Sequence, residues 1–204
     1  MADKSVIALV LSMIAVAFLV GAFASPYWVE SFGISDSRFI KAGLWEFCFN
    51  DYTFWKDYNG NRYKGCWYIF SDQYRPIWEW LSPHWFIAVQ VMVSVSLLFL
   101  VITTFTGILA VCHVFPEYLE EIILLGCSLT KFVIAIIQFI VLVLFGVQKE
   151  DRQWMPRPDQ NFLSWSYGLY VVATMFTLAA AVTLLKAGLD LRKKLKEDFP
   201  RRRY

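Results

Sequence analysis

The sequence is poor in the side chains that most enzymes use. Its 204 residues include two histidines and four cysteines. No Cys-x-x-Cys, His-x-x-x-His or glycine-rich phosphate loop occurs, so zinc, dithiol and nucleotide sites lack their usual residues. No Asn-x-Ser/Thr acceptor is present, so N-glycosylation is not expected. Charge is scarce too: 18% of residues are charged, against about 25% in an ordinary soluble domain. These absences argue against a soluble enzyme, a disordered chain and a nucleic-acid-binding arm. They predict no catalytic residue, no cofactor and no metal.

Apolar residues make up 58% of the chain. They gather in four windows, Ser5–Ala24, Trp85–Val111, Ile122–Val147 and Trp165–Leu185, which hold a single charge, Lys131. A hydrocarbon core of about 30 Å needs about 20 apolar helical residues. One such run can be a buried core helix, but four cannot be hidden in a soluble domain of this size. In lipid the backbone must satisfy its own hydrogen bonds, so each window is expected as a spanning helix. Ala22-Phe23-Ala24 has the form of a signal-peptidase site. The apolar run before it has 20 residues, longer than the 7–15 of a signal core, so it is expected to remain as the first span.

Orientation follows from the basic residues. After the last window come Lys186, Arg192, Lys193, Lys194, Lys196, Arg201, Arg202 and Arg203, so that end should be cytoplasmic. With four spans the other terminus shares its side. The turn between spans two and three runs against the rule, with three glutamates and no Lys or Arg, but acidic residues weigh little in it. The expected layout is one unit: spans at 5–24, 85–111, 122–147 and 165–185, an external loop at 25–84, a turn at 112–121, a second external loop at 148–164, and a basic tail at 186–204. The Arg201–Arg203 run suits anionic lipid head groups or a cytoplasmic partner.

The first loop holds 18 aromatic residues in 60, with seven acidic and six basic side chains. A disordered linker would not carry six tryptophans. Aromatic-rich runs at Trp28–Ile34, Phe39–Leu44, Trp45–Phe49 and Cys66–Phe70 read as strands. Alternation places Trp45, Phe47 and Phe49 on one face, and Asn59-Gly60 signals a hairpin turn. Cys48 and Cys66 both lie in this loop, on the oxidising side, and read as a disulfide rather than two free thiols. Closing a loop of this size stabilises by about 3 kcal/mol. Cys112 ends the second span, where S-palmitoylation or simple packing are the two readings. Cys127 reads as a packing residue.

Trp28, then Gly43-Leu44-Trp45, then Cys48 and Cys66 resemble the signature of the claudin superfamily, in the first external loop of a four-span chain. Arg75 matches an arginine that claudins carry before the second span. The resemblance covers nearly the whole chain. It implies an all-α membrane bundle, left-handed and of four transmembrane helices, plus a small extracellular antiparallel sheet of about five strands. Composition does not assign a fifth strand; Pro156 and Pro158 would confine one in the second loop to an edge. Three departures stand out. Residues Asp51–Gly65 form a longer insert, expected as an enlarged hairpin. Trp67 stands where pore-forming relatives tend to carry a charge. Arg201–Tyr204 lacks the small apolar end that many claudins offer to PDZ domains, which disfavours PDZ binding. The long loop is most similar to invertebrate septate- or adherens-junction relatives.

Inside the spans, Lys131 lies about 14 Å past Ile122 at about 1.5 Å per residue. An intramembrane charge is by default a functional hint. Its stem also allows snorkelling to the cytoplasmic face or a hydrogen bond in the bundle, with Gln90 and Gln138 as interhelical partners. Ala17, Gly21 and Ser25 recur at four-residue spacing on the first helix, as do Ala8 and Ser12, and predict a close-packing face.

What the resemblance implies for function is a structural junction protein of the plasma membrane at lateral contacts. It would form or organise a paracellular barrier, contacting lipid and other junction proteins in cis and trans, as homo- or hetero-oligomers. The competing reading is an auxiliary subunit of a channel or receptor, since such regulators use the same signature.

Overall fold

The computed structural model describes residues 2–33, 38–57 and 59–201. Ile34, at the end of the first expected strand, and Arg202–Tyr204 lie outside them. The elements run α1 (Ala2–Ala24), β1 (Val29–Ser31), β2 (Phe39–Ala42), β3 (Glu46–Thr53), β4 (Arg62–Tyr68), a 3₁₀ helix (Asp72–Ile77), α2 (Trp78–Leu81), α3 (His84–Val111), α4 (Glu117–Gln148), a second 3₁₀ helix (Pro158–Gln160), β5 (Asn161–Leu163) and α5 (Trp165–Arg201).

Four helices are long and apolar enough to cross a membrane, at Lys4–Ala24, His84–Val111, Tyr118–Gln148 and Trp165–Glu197. Their outer faces carry what a water-facing helix would not. Phe105, Ile136, Phe139 and Met175 are 60, 61, 62 and 65% exposed. A helix facing water puts polar residues there; lipid solvates apolar ones. The last helix continues well past Leu185, through the basic segment to Arg201. Leu, Lys, Arg and Glu are good helix formers, and Leu191 packs on the buried cluster of Ala8, Ala110, Leu124 and Leu184.

The chain forms two compact units. One, of Met1–Leu19, Val95–Phe139 and Val172–Tyr204, is all helical. Here α1 buries Ala8, Ser12, Ala15 and Leu19, while Ala17 is exposed. Of the small residues expected to pack, Ala8 and Ser12 are buried, Gly21 lies close against Leu169 and Ser25 accepts from Ser166; Ala17 alone faces outward. A spanning helix is apolar all round, so small residues alone do not identify its buried side.

The other unit, Val20–Ser94 and Ile140–Val171, carries an open antiparallel sheet in the order β4-β3-β2-β1-β5. The β3–β4 hairpin pairs Glu46 with Tyr68, Cys48 with Cys66 and, beyond an irregularity, Thr53 with Arg62. The insert thus lengthens both strands. At its tip the Asp57 carboxylate accepts from the backbone N–H of Asn59 and Asn61, and Gly60 adopts φ 61°, which glycine takes without steric cost. The second loop supplies β5, which pairs Leu163 with Val29 and Asn161 with Ser31. It follows Pro156 and Pro158 and lies at the sheet edge, where proline is tolerated.

Candidate functional site

The sheet-bearing unit concentrates the signature residues, and each has a physical task. Trp28 is fully buried. Its Nε1 donates to the Ala22 carbonyl at 2.7 Å, and its ring meets Phe145, Tyr167 and Tyr170. This bolts the start of the loop to the end of α1. Gly43 lies against the chain leaving α1: a Cβ there would sit 2.5 Å from Pro26 Cα and 2.7 Å from the Ser25 carbonyl, so no side chain fits. Leu44 is buried, and its carbonyl accepts from Gln90 Nε2 at 2.6 Å. The Trp45 ring stands edge-on to Phe23 with centroids 5.1 Å apart. Arg75 lies in the first 3₁₀ helix with its side chain exposed.

Cys48 and Cys66 are disulfide-bonded across the β3–β4 pair. Among the described residues, the one His/Cys/Asp/Glu group close enough to share a metal is Glu46, Cys48 and Cys66. The disulfide consumes both thiolates that a metal would need.

Aromatic rings fill the unit. Phe54 and Trp80 stack at 4.5 Å, and Tyr52 and Trp80 at 5.6 Å. The Tyr74 hydroxyl, buried, donates to the Phe47 carbonyl at 2.9 Å. Burial pushes the Tyr52 and Tyr74 hydroxyls above their ordinary range. Burial, and then its bond to Asp57, pushes Tyr63 up to about 12. Asp57 moves down, chiefly because the Asn59 N–H favours its charged form. Other aromatics face outward: Trp55 is 80% exposed, and Trp67, Tyr68, Phe70 and Trp78 are also exposed. Trp67 holds its position by donating Nε1 to the Lys64 carbonyl.

Lys131 is buried rather than snorkelled. Its ammonium donates to Thr103 Oγ1 at 3.0 Å and Thr104 Oγ1 at 3.4 Å. Neither glutamine partners it. Gln90 is tied to Leu44. Gln138, two helical turns along α4, is buried and finds no partner among the described residues. Cys112 is exposed just beyond α3, and Cys127 is buried. His113 Nδ1 lies 2.9 Å from the buried Glu120, whereas His84 is exposed.

Sequence reasoning missed three structural residues. Trp154 of the second loop packs on Phe47, Trp85 and Phe86; its being the one tryptophan of an otherwise polar loop was the available signal. Tyr74 and Thr103 gave none, because their partners are distant in sequence.

A family model described as PMP-22/EMP/MP20/claudin tight junction matches residues 13–186. No curated protein matches the chain.

Proposed function

The chain belongs to the PMP-22/EMP/MP20/claudin family, and from that premise we propose that it is a structural cell-junction protein whose sheet helps build a paracellular barrier. Membership points to a non-enzymatic, multi-pass membrane protein of the tight-junction type. The observation that carries the barrier reading is the surface of the sheet-bearing unit. Exposed Trp55, Trp67, Tyr68, Phe70 and Trp78 stand on a frame closed by a disulfide. Such surfaces mark protein contacts. Seven acidic and six basic residues nearly cancel in this loop, and Arg62 pairs with Asp51, so no field of one sign selects ions.

In this reading both termini are cytoplasmic and the sheet lies outside the plasma membrane. The disulfide supports that side, since disulfides persist in oxidising compartments; the basic C-terminal segment supports the other. Spans at 5–24, 85–111, 122–147 and 165–185 leave loops at 25–84 and 148–164 to meet copies or other junction proteins in cis and trans. The exposure of Cys112 just beyond α3, on the cytoplasmic side in this reading, supports S-palmitoylation there.

Depletion from a polarised epithelium is the test. Tracer leak between cells should rise for molecules of either charge. Normal tracer exclusion would overturn the barrier. Uniform membrane staining with copurifying channel or receptor subunits would put the auxiliary-subunit reading in its place.

A further inference from the structure

Where α1 meets the sheet there is a cavity of about 380 Å³, lined by Phe23, Trp45, Glu46, Tyr68 and the chain from Ala24 to Pro26. Its walls come from three elements. Phe23 and Ala24 end the candidate span Lys4–Ala24. Trp45 precedes β3, and its ring meets Phe23 at 5.1 Å and Phe70 at 6.5 Å. Glu46 and Tyr68 are directly opposed across the β3–β4 pair, so their side chains project from the same face. Phe70 braces the Tyr68 ring at 5.4 Å.

Three features of this cavity call for one kind of ligand. Phenyl, indole and phenol rings with a carboxylate between them form the environment that recognises a quaternary ammonium, which cannot donate a hydrogen bond and is drawn to ring faces. Glu46 supplies the counter-charge; it enters no salt bridge among the described residues. The cavity also sits where the candidate span Lys4–Ala24 ends, which is where head groups would meet a helix of spanning length.

We propose that this cavity binds the phosphocholine head of a membrane lipid. The trimethylammonium lies against Phe23, Trp45 and Tyr68 beside the Glu46 carboxylate. An anionic head lacking the amine would meet Glu46 with like charge. A primary ammonium is more strongly hydrated and gains less from ring faces. Assigning the lipid to the outer leaflet rests on the external placement of the sheet proposed above; the site chemistry does not.

The test uses the full chain purified in a maltoside detergent and titrated with phosphatidylcholine, phosphatidylethanolamine or phosphatidylglycerol, with bound lipid counted by native mass spectrometry. Phosphatidylcholine should bind most tightly. Tyr68→Leu removes an exposed ring and should weaken it about fivefold, the scale of one cation–π contact. Glu46→Gln should weaken phosphatidylcholine and narrow the gap to phosphatidylglycerol. Retention of the Cys48–Cys66 disulfide verifies that each variant is folded. Equal binding of phosphatidylcholine and phosphatidylglycerol overturns the site, as does unchanged binding by folded Glu46→Gln and Tyr68→Leu. Because detergent has no sides, this outcome is independent of barrier function. A choline preference with normal tracer exclusion in depleted epithelium removes the junction reading and leaves the site, and leak without a choline preference does the reverse.

Discussion

In the all-helical unit, buried hydroxyls bond to the carbonyl one turn back: Ser12 to Ala8, Thr104 to Leu100, Thr177 to Ala173. In the sheet-bearing unit, polar groups reach across long stretches of chain: Tyr74 to Phe47, Gln90 to Leu44, Trp154 to Leu81. The first pattern is complete once a helix forms. Stability there rests on side-chain packing spread over many contacts. The second exists only in the finished fold and concentrates stability in a few links. Single substitutions should therefore weigh more in the sheet-bearing unit, with Ser128 and Lys131 as exceptions, since their partners lie on other helices.

The sharpest test of that contrast is Trp28→Ala. It removes a fully buried ring and a donor together, and should cost about 4 kcal/mol, read as a lower unfolding temperature in detergent. Next, Cys48→Ala should cost about 3 kcal/mol by reopening the loop; non-reducing peptide mapping should recover the wild-type pair bonded, and the variant should reach the cell surface poorly. In the helical unit, Thr103→Val with Thr104→Val leaves the Lys131 ammonium without its acceptors and should cost about 2 kcal/mol. Lys131→Met removes charge and acceptor demand at once, and should change stability by less than about 1 kcal/mol or raise it. A larger loss from Lys131→Met than from the threonine pair would break the comparison.

The smallest effect is pH-dependent and confined to the hairpin tip. Tyr63 holds its proton up to about 12 in the folded chain, from an ordinary value of 10.0. Its contribution is complete below pH 10 and is lost as pH rises from there toward 12. Asp57 has the opposite sense. Its folded value lies below the ordinary 3.8, so its contribution holds above that pH and disappears as pH falls through the lowered value. Protection of the Asn59 and Asn61 amides, relative to their intrinsic exchange rates, should fall at both extremes, and Tyr63→Phe should remove the alkaline limb and weaken the acid one, since the Tyr63 hydroxyl also donates to Asp57.

Hydropathy located the four spans because lipid removes polar residues from long runs, and the helices differ from the windows mainly where polar turns extend them, as α4 does from Glu117. The same rule hides which face packs. A lipid-facing side and a bundle-facing side are equally apolar, so Ala17 looked like Ala15 although only Ala15 is buried. Strands were legible from aromatic alternation, with shifted ends: β3 starts at Glu46, and the structure carries it to Thr53, because pairing with β4 rather than side-chain pattern decides where a strand stops. The signature residues were visible as types. Their tasks were not, since Gly43 is explained by the backbone of Pro26 and Leu44 by the amide of Gln90. The head-group cavity was invisible for the same reason, as cross-strand register brings Glu46 to Tyr68.

The fifth strand carries a consequence for biogenesis. The β3–β4 hairpin is local in sequence and can close as soon as its residues leave the ribosome. The β1–β5 pair joins Val29 to Leu163, and Ser164 Oγ seals it on Glu30, 134 residues away. Contacts so distant form late, and synthesis proceeds from the N-terminus. Until the second loop is made, β1 presents a row of unsatisfied amides and carbonyls, a surface that recruits other strands. The three residues Asn161–Leu163 thus act as a completion mark: a nascent chain stalled or truncated before them exposes the β1 edge, which a chaperone can hold, whereas in the finished chain β5 covers it.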